Sequence, residues 1–146
     1  MGLDMFLYGI KYYSNWRNKE KMNEIGNVVG FENKNSCTVK VMEVYWRKSN
    51  AIHRWFVENI QDGEDDCRNY EISTEKLIEL RDLCKQICKN KNDIEADELL
   101  PTQEGFFFGG TEYDEWYYED LERTYKELTI LLKEDKYDWY EYGSSW

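Results

Sequence analysis

Apolar and polar positions along the chain divide it into a few segments of distinct period. "LDMFLYGIKYY" alternates loosely and is rich in aromatic residues, which predicts an N-terminal strand. Residues 14–38 are dominated by Asn, Lys, Glu and Gly, with "GNVVGF" the only apolar island. We read them as a long mobile loop or insertion holding at most a short helix. "CTVKVMEVYW" has the β-branched alternation of a second strand. Ser49 is a suitable N-cap for a following helix, whose stripe Ile52, Trp55, Phe56 and Ile60 points to the core, and "QDG" ends it. Asn50, His53 and Val57 fall on the opposite side, with Arg47 and Arg54 adjoining.

Further along, "RNYEIS" predicts a short strand and Ser73 or Thr74 caps a second helix. Leu77, Leu80, Leu83, Cys84, Ile87 and Cys88 give that helix the clearest amphipathic signal in the chain. "DIEADELLP" adds a turn or two before Pro101 stops it. The three phenylalanines of "EGFFFGGTEYDEWYYED" predict a short buried strand or hairpin arm, and "GGT" permits tight bends. A third helix starts near Tyr113, with Tyr117, Leu121, Tyr125, Leu128 and Leu132 on one face. "KYDWYEYG" alternates as a C-terminal strand at a sheet edge. The sum is a single α+β domain over 1–146, a small mainly antiparallel sheet packed by about three helices, with no internal repeat.

A length of 146 residues, 41% hydrophobic and 16% aromatic, suffices to bury one core without staples. No run approaches the roughly 20 apolar residues of a membrane span, and "MGLDMFLYGIKYY" lacks the cationic leader of a signal peptide, so no membrane partner and an intracellular location are expected. Phe6 stands where an N-myristoylation motif wants Ser or Thr. Cysteines 37, 67, 84 and 88 lack the spacing and histidine partners of a zinc site, and we read them as reduced and structural; no metal or cofactor is expected. Charge is uneven: residues 93–146 carry 16 acidic and 4 basic side chains, a net of −12 out of a total of −11. That surface disfavours direct nucleic-acid binding, and either meets a basic partner protein or keeps the chain soluble.

No sequence signature of catalysis is present: there is no G-x-S-x-G, no phosphate-gripping glycine-lysine loop and no H-E-x-x-H. "DGEDD" departs from a calcium loop and reads as a solvated turn. His53, the one histidine, can act as a general base only if the fold brings a carboxylate to it. Lys40 to Arg54 holds four Lys or Arg against one Glu. Such a block at the start of a helix suits a phosphate, through guanidinium groups and free backbone N–H donors. Arg47, Lys48, Asn50, His53 and Arg54 are therefore candidate anion contacts. Trp46 and the aromatic residues of "FFFGGTEYDEWYY", with Phe108, Tyr113 and Tyr117 among them, are candidates to stack a base, Glu112 or Asp114 to accept from ribose hydroxyls, and Thr111 completes the set of ligand contacts. The plainer reading makes the cations surface charge, the histidine a satisfied helix residue and the aromatics core.

The blocks "GLDMFLY", "YWRKSNAIHRWFV" with "DGEDDC", and "LLPTQEGFFFGGTEYDEWYYEDL" resemble a family of small proteins encoded by bacteriophages and prophages. The resemblance covers much of the chain outside Asn15 to Val39, and it brings no established catalytic residues. It implies a viral accessory or counter-defence protein in the cytoplasm of an infected bacterium. Two functions follow as expectations. One is non-catalytic binding and sequestration of a phosphorylated small molecule, such as a nucleotide immune signal. The alternative is an acidic inhibitor of a host defence nuclease, imitating nucleic acid as anti-CRISPR proteins do. Homo-oligomers are compatible with either.

Overall fold

Alternation at the N-terminus buries Leu3, Met5 and Leu7 on one side, and the strand that Leu3 leads into, β1 (Asp4–Ser14), lies inside an antiparallel sheet. A computed structural model describes all residues 1–146. β1 is followed by α1 (Asn15–Val29), β2 (Ser36–Arg47), α2 (Asn50–Ile60), β3 (Tyr70–Ile72), α3 (Thr74–Asn90), α4 (Asp93–Leu99), α5 (Glu115–Glu134) and β4 (Trp139–Ser145). The sheet order is β2-β1-β4-β3. The fold is α+β, as the periodicities predict, with five helices in place of about three.

One face of the sheet carries the core. Leu3, Met5, Leu7, Val44, Trp46, Ile72, Tyr140 and Tyr142 meet the apolar sides of α2, α3 and α5 in one cluster. At its centre the rings of Phe56 and Tyr142 stack with centroids 3.7 Å apart and planes 8° from parallel. α3 and α5 pack together through Leu77, Leu80, Cys84 and Ile87 against Leu121, Leu128 and Leu131. A bulge in the β1–β2 ladder lets Leu7 pair with Val44 and Tyr8 with Met42, leaving Glu43 without an opposite residue.

Three local expectations differ from the structure. The segment expected as a mobile loop or insertion, 14–38, is mostly α1: Ser14 caps it by accepting from Arg17 N–H, and Gly30 ends it with φ +94°. Its buried residues are only Met22 and Gly26, too few for a periodic stripe, so its helicity rests on docking to the β1–β2 ribbon, where Met22 Sδ lies 3.5 Å from Cys37 Sγ. The phenylalanine run is an irregular turn and no strand: Phe106 is 83% exposed and Phe107 has φ +68°, while Phe108 alone is buried. The C-terminal strand lies between β1 and β3 and not at an edge, because both of its sides are paired.

Gly9 marks a tight approach inside this frame. A Cβ there would sit 2.3 Å from the ring of Tyr137, which packs at the margin of the core. Gly9→Ala is expected to lower stability by about 1–3 kcal/mol, the range for overpacking, with a fall of several degrees in Tm in a thermal melt. An unchanged melt would show that the Tyr137 ring swings away at no cost.

Candidate functional site

β2 ends on Arg47, and a two-residue turn leads into α2. Lys48 takes φ +57°, a left-handed conformation uncommon outside glycine, and its N–H donates to Leu3 O at 2.8 Å. Ser49 occupies the N-cap position but caps nothing: its hydroxyl turns away and donates to Asp120 Oδ2 at 2.6 Å. The N–H groups of Ala51 and Ile52 in the first turn are thus left with no side-chain acceptor. Asp114 caps α5 in the ordinary way, accepting from Tyr117 N–H at 3.1 Å.

The starts of α2 and α5 and the connection 102–112 enclose a cavity of about 490 Å³. Asn50 sets the wall. Its carboxamide donates to Phe108 O at 3.2 Å and Gly110 O at 2.8 Å and accepts from Gln103 N–H at 3.0 Å. Thr102 closes the base of the connection by donating its hydroxyl to Thr111 O at 2.9 Å. Gly109 must lack a side chain: with φ +96°, a Cβ there would lie 3.1 Å from Lys48 Cβ.

The cavity is lined by charges of both signs. Arg47 is held by Asp4 at 3.0 Å. Arg123 donates to Tyr45 O at 2.9 Å and lies 3.8 Å from Asp120. Lys48 has no ion pair and no hydrogen bond from its ammonium. Facing these are Glu112, Asp114, Glu119 and Asp120. Burial pushes the Asp120 carboxyl above the usual range, against the opposing pull of the Ser49 hydroxyl and the Arg123 guanidinium. Trp116 lines the mouth with 75% of its surface exposed.

Of the residues singled out in the sequence, Arg47, Lys48, Asn50, Glu112, Asp114 and Tyr117 meet in this cavity. Asn50 is engaged with backbone, and the Tyr117 hydroxyl donates to Leu100 O at 2.8 Å. The others are elsewhere. Trp46 is 0% exposed and donates its indole N–H to Thr124 Oγ1 at 2.8 Å in the core. Arg54 bonds Glu58 Oε1 and Thr102 O outside the cavity. Tyr113 donates to Asp97 Oδ1, and Thr111 contributes only its carbonyl.

His53 is a core residue with no solvent access. Its Nδ1 lies 2.7 Å from the Tyr142 hydroxyl and its Nε2 2.8 Å from Asp65 Oδ2, so both ring nitrogens are occupied. Phe108 covers it edge-on at 5.5 Å, and Trp146 Nε1 donates to the other oxygen of Asp65 at 3.1 Å. A carboxylate has indeed come to the histidine, but the imidazole itself has no solvent access, and only the Asp65 side of the pair is partly exposed, at 18%.

Sequence reasoning missed Ser49 as anything beyond a cap, and Glu119, Asp120 and Arg123 altogether as cavity residues, while Trp116 lay within the aromatic segment expected to stack a base. A usable signal existed: 116, 119, 120 and 123 are spaced to share one face of a helix, next to the apolar stripe.

Because one carboxamide fixes the cavity wall, Asn50→Asp is expected to loosen it by setting a carboxylate oxygen against the carbonyls of Phe108 and Gly110. The change should cost about 2 kcal/mol or more in denaturant melts and raise hydrogen exchange at residues 103–110. Protection equal to that of the parent chain would mean that the connection is held by other contacts.

Comparison of the chain with protein-family models, with curated proteins and with solved structures finds no match.

Proposed function

We propose that the cavity between α2 and α5 binds a phosphorylated small molecule, with a nucleotide the class that suits it best. The observation that carries this reading is the pairing of an uncapped helix start with the unpaired Lys48 ammonium in one cavity of about 490 Å³. An uncapped first turn presents N–H donors and the positive end of the helix dipole to an anion, and the ammonium adds a full charge. Trp116 offers a ring face at the mouth on which a base can stack, and Glu112 and Glu119 are acceptors for sugar hydroxyls. The size lies in the range of small-molecule sites. Joined to the resemblance to phage proteins, this makes a viral accessory protein that withholds a nucleotide signal from a bacterial defence system.

The alternative, an acidic inhibitor shaped like nucleic acid, draws less support from the acidic last third. Many of its carboxylates are engaged within the chain: Asp114 caps α5, Asp120 holds Ser49, Glu122 pairs with Lys126 at 2.9 Å, and Asp93 and Asp97 accept from tyrosines.

The test is a thermal-shift and calorimetric panel of mono-, di- and cyclic nucleotides. A ligand at 100 times its Kd stabilises the folded state by about 2.7 kcal/mol, a clear rise in Tm. Lys48→Glu should weaken binding by roughly 10- to 100-fold and Trp116→Ala by a comparable factor. Binding indifferent to both substitutions would place the ligand elsewhere, and no response across the panel would favour the inhibitor reading.

A further inference from the structure

Ser49 occupies the N-cap position of α2 without capping it. It stands at a strand-to-helix turn, beside the left-handed Lys48, with its hydroxyl hydrogen-bonded to a carboxylate from a distant helix and not to its own backbone. The Asp120 carboxylate that receives this bond is half-buried and steadied by Arg123 at 3.8 Å. Ala51, whose N–H in the first turn has no side-chain acceptor, and Lys48, whose ammonium has no ion pair, line the same cavity as Ser49 and Asp120. Nucleophile, base, donors for a developing negative charge and space for a substrate are the elements of a displacement at an ester.

We propose that Ser49 is a nucleophile and Asp120 its general base, and that the site cleaves phosphoesters. This rests on the anion-binding reading of the cavity and extends it from holding the ligand to hydrolysing it. In the first step Ser49 Oγ attacks phosphorus, forming the Oγ–P bond while the P–O bond to the leaving group breaks. The serine proton passes to Asp120 Oδ2 and from there to the departing oxygen, which leaves as an alcohol. In the second step water attacks the phosphoserine, giving its proton to Asp120. The Oγ–P bond breaks, Oγ recovers the proton, and phosphate is released. The Ala51 N–H and Lys48 supply donors to the equatorial oxygens, where charge is spread in the transition state. Burial, which holds the Asp120 carboxyl above its usual range, makes it a stronger proton acceptor once ionised.

The experiment treats the full chain with a fluorophosphonate, an electrophile that loses fluoride as a serine oxygen bonds to phosphorus, and locates the adduct by peptide mass spectrometry. One adduct per chain is expected, on Ser49. Ser49→Ala should abolish it, and Asp120→Asn, which keeps an acceptor for the hydroxyl and therefore the fold, should slow it at least 100-fold. The rate should rise with pH as Asp120 ionises. Melting curves of both variants establish that they are folded. A folded parent chain without an adduct on Ser49, or equal rates for the parent and Asp120→Asn, would overturn the proposal. Inorganic phosphate, titrated separately by calorimetry, tests the reading beneath it. Phosphate binding with no adduct retains an anion site and removes the nucleophile. An adduct with no phosphate binding retains an activated serine, while overturning the anion site and with it phosphoester cleavage.

Discussion

The carboxamide of Asn50 is the constraint on which the cavity depends. One side chain in the first turn of α2 satisfies two carbonyls and one N–H of a stretch that has no regular structure of its own. Backbone polar groups buried away from water must find partners, and a carboxamide, with donors and an acceptor on one small plane, supplies three at once. The turn containing Phe106, Phe107 and Phe108 is thereby fixed against α2, and Gly109 is pressed onto Lys48. The charged side chains of the cavity inherit their positions from this arrangement.

A second polar cluster holds the opposite flank of the same stretch. Tyr142, His53, Asp65 and Trp146 form a connected series beneath Phe108, linking β4, α2, the connection before β3 and the last residue of the chain. Burial raises the Tyr142 hydroxyl well above its ordinary value, so it stays protonated beside the imidazole. Deep polar groups arranged this way favour one packing over its near alternatives, since any other would leave them without partners. The histidine that stands out in the sequence acts here, in the specification of the fold.

How much of this was legible depended on whether a segment carries its own periodicity. The stripes of α2, α3 and α5 and the alternation of β1 and β2 repeat over enough residues to be read directly. α1 could not be read that way, because only Met22 and Gly26 face the protein and the rest of the helix is polar. The phenylalanine turn misled for the opposite reason: its hydrophobicity suggested a buried strand, yet only Phe108 enters the core. At the site, the cations of "WRKSN" were visible, while the partners on α5 lie about 70 residues away in sequence and are brought near only by the fold. The direction of Ser49, toward Asp120 and away from its helix, is a property of three dimensions with no trace in spacing.

The extra residue at Glu43 governs which way the end of β2 faces. Strands alternate with a strict period of two, so one added residue inverts every side chain beyond it. Downstream of that point Val44 and Trp46 face inward and Tyr45 and Arg47 outward; upstream, the parity is the reverse. Shortening the strand by a single position there would exchange the two sets, exposing an indole and driving a guanidinium into the interior. Length variation in this strand is therefore tolerable only in even steps, a counting rule imposed on the gene by a local irregularity in the ladder.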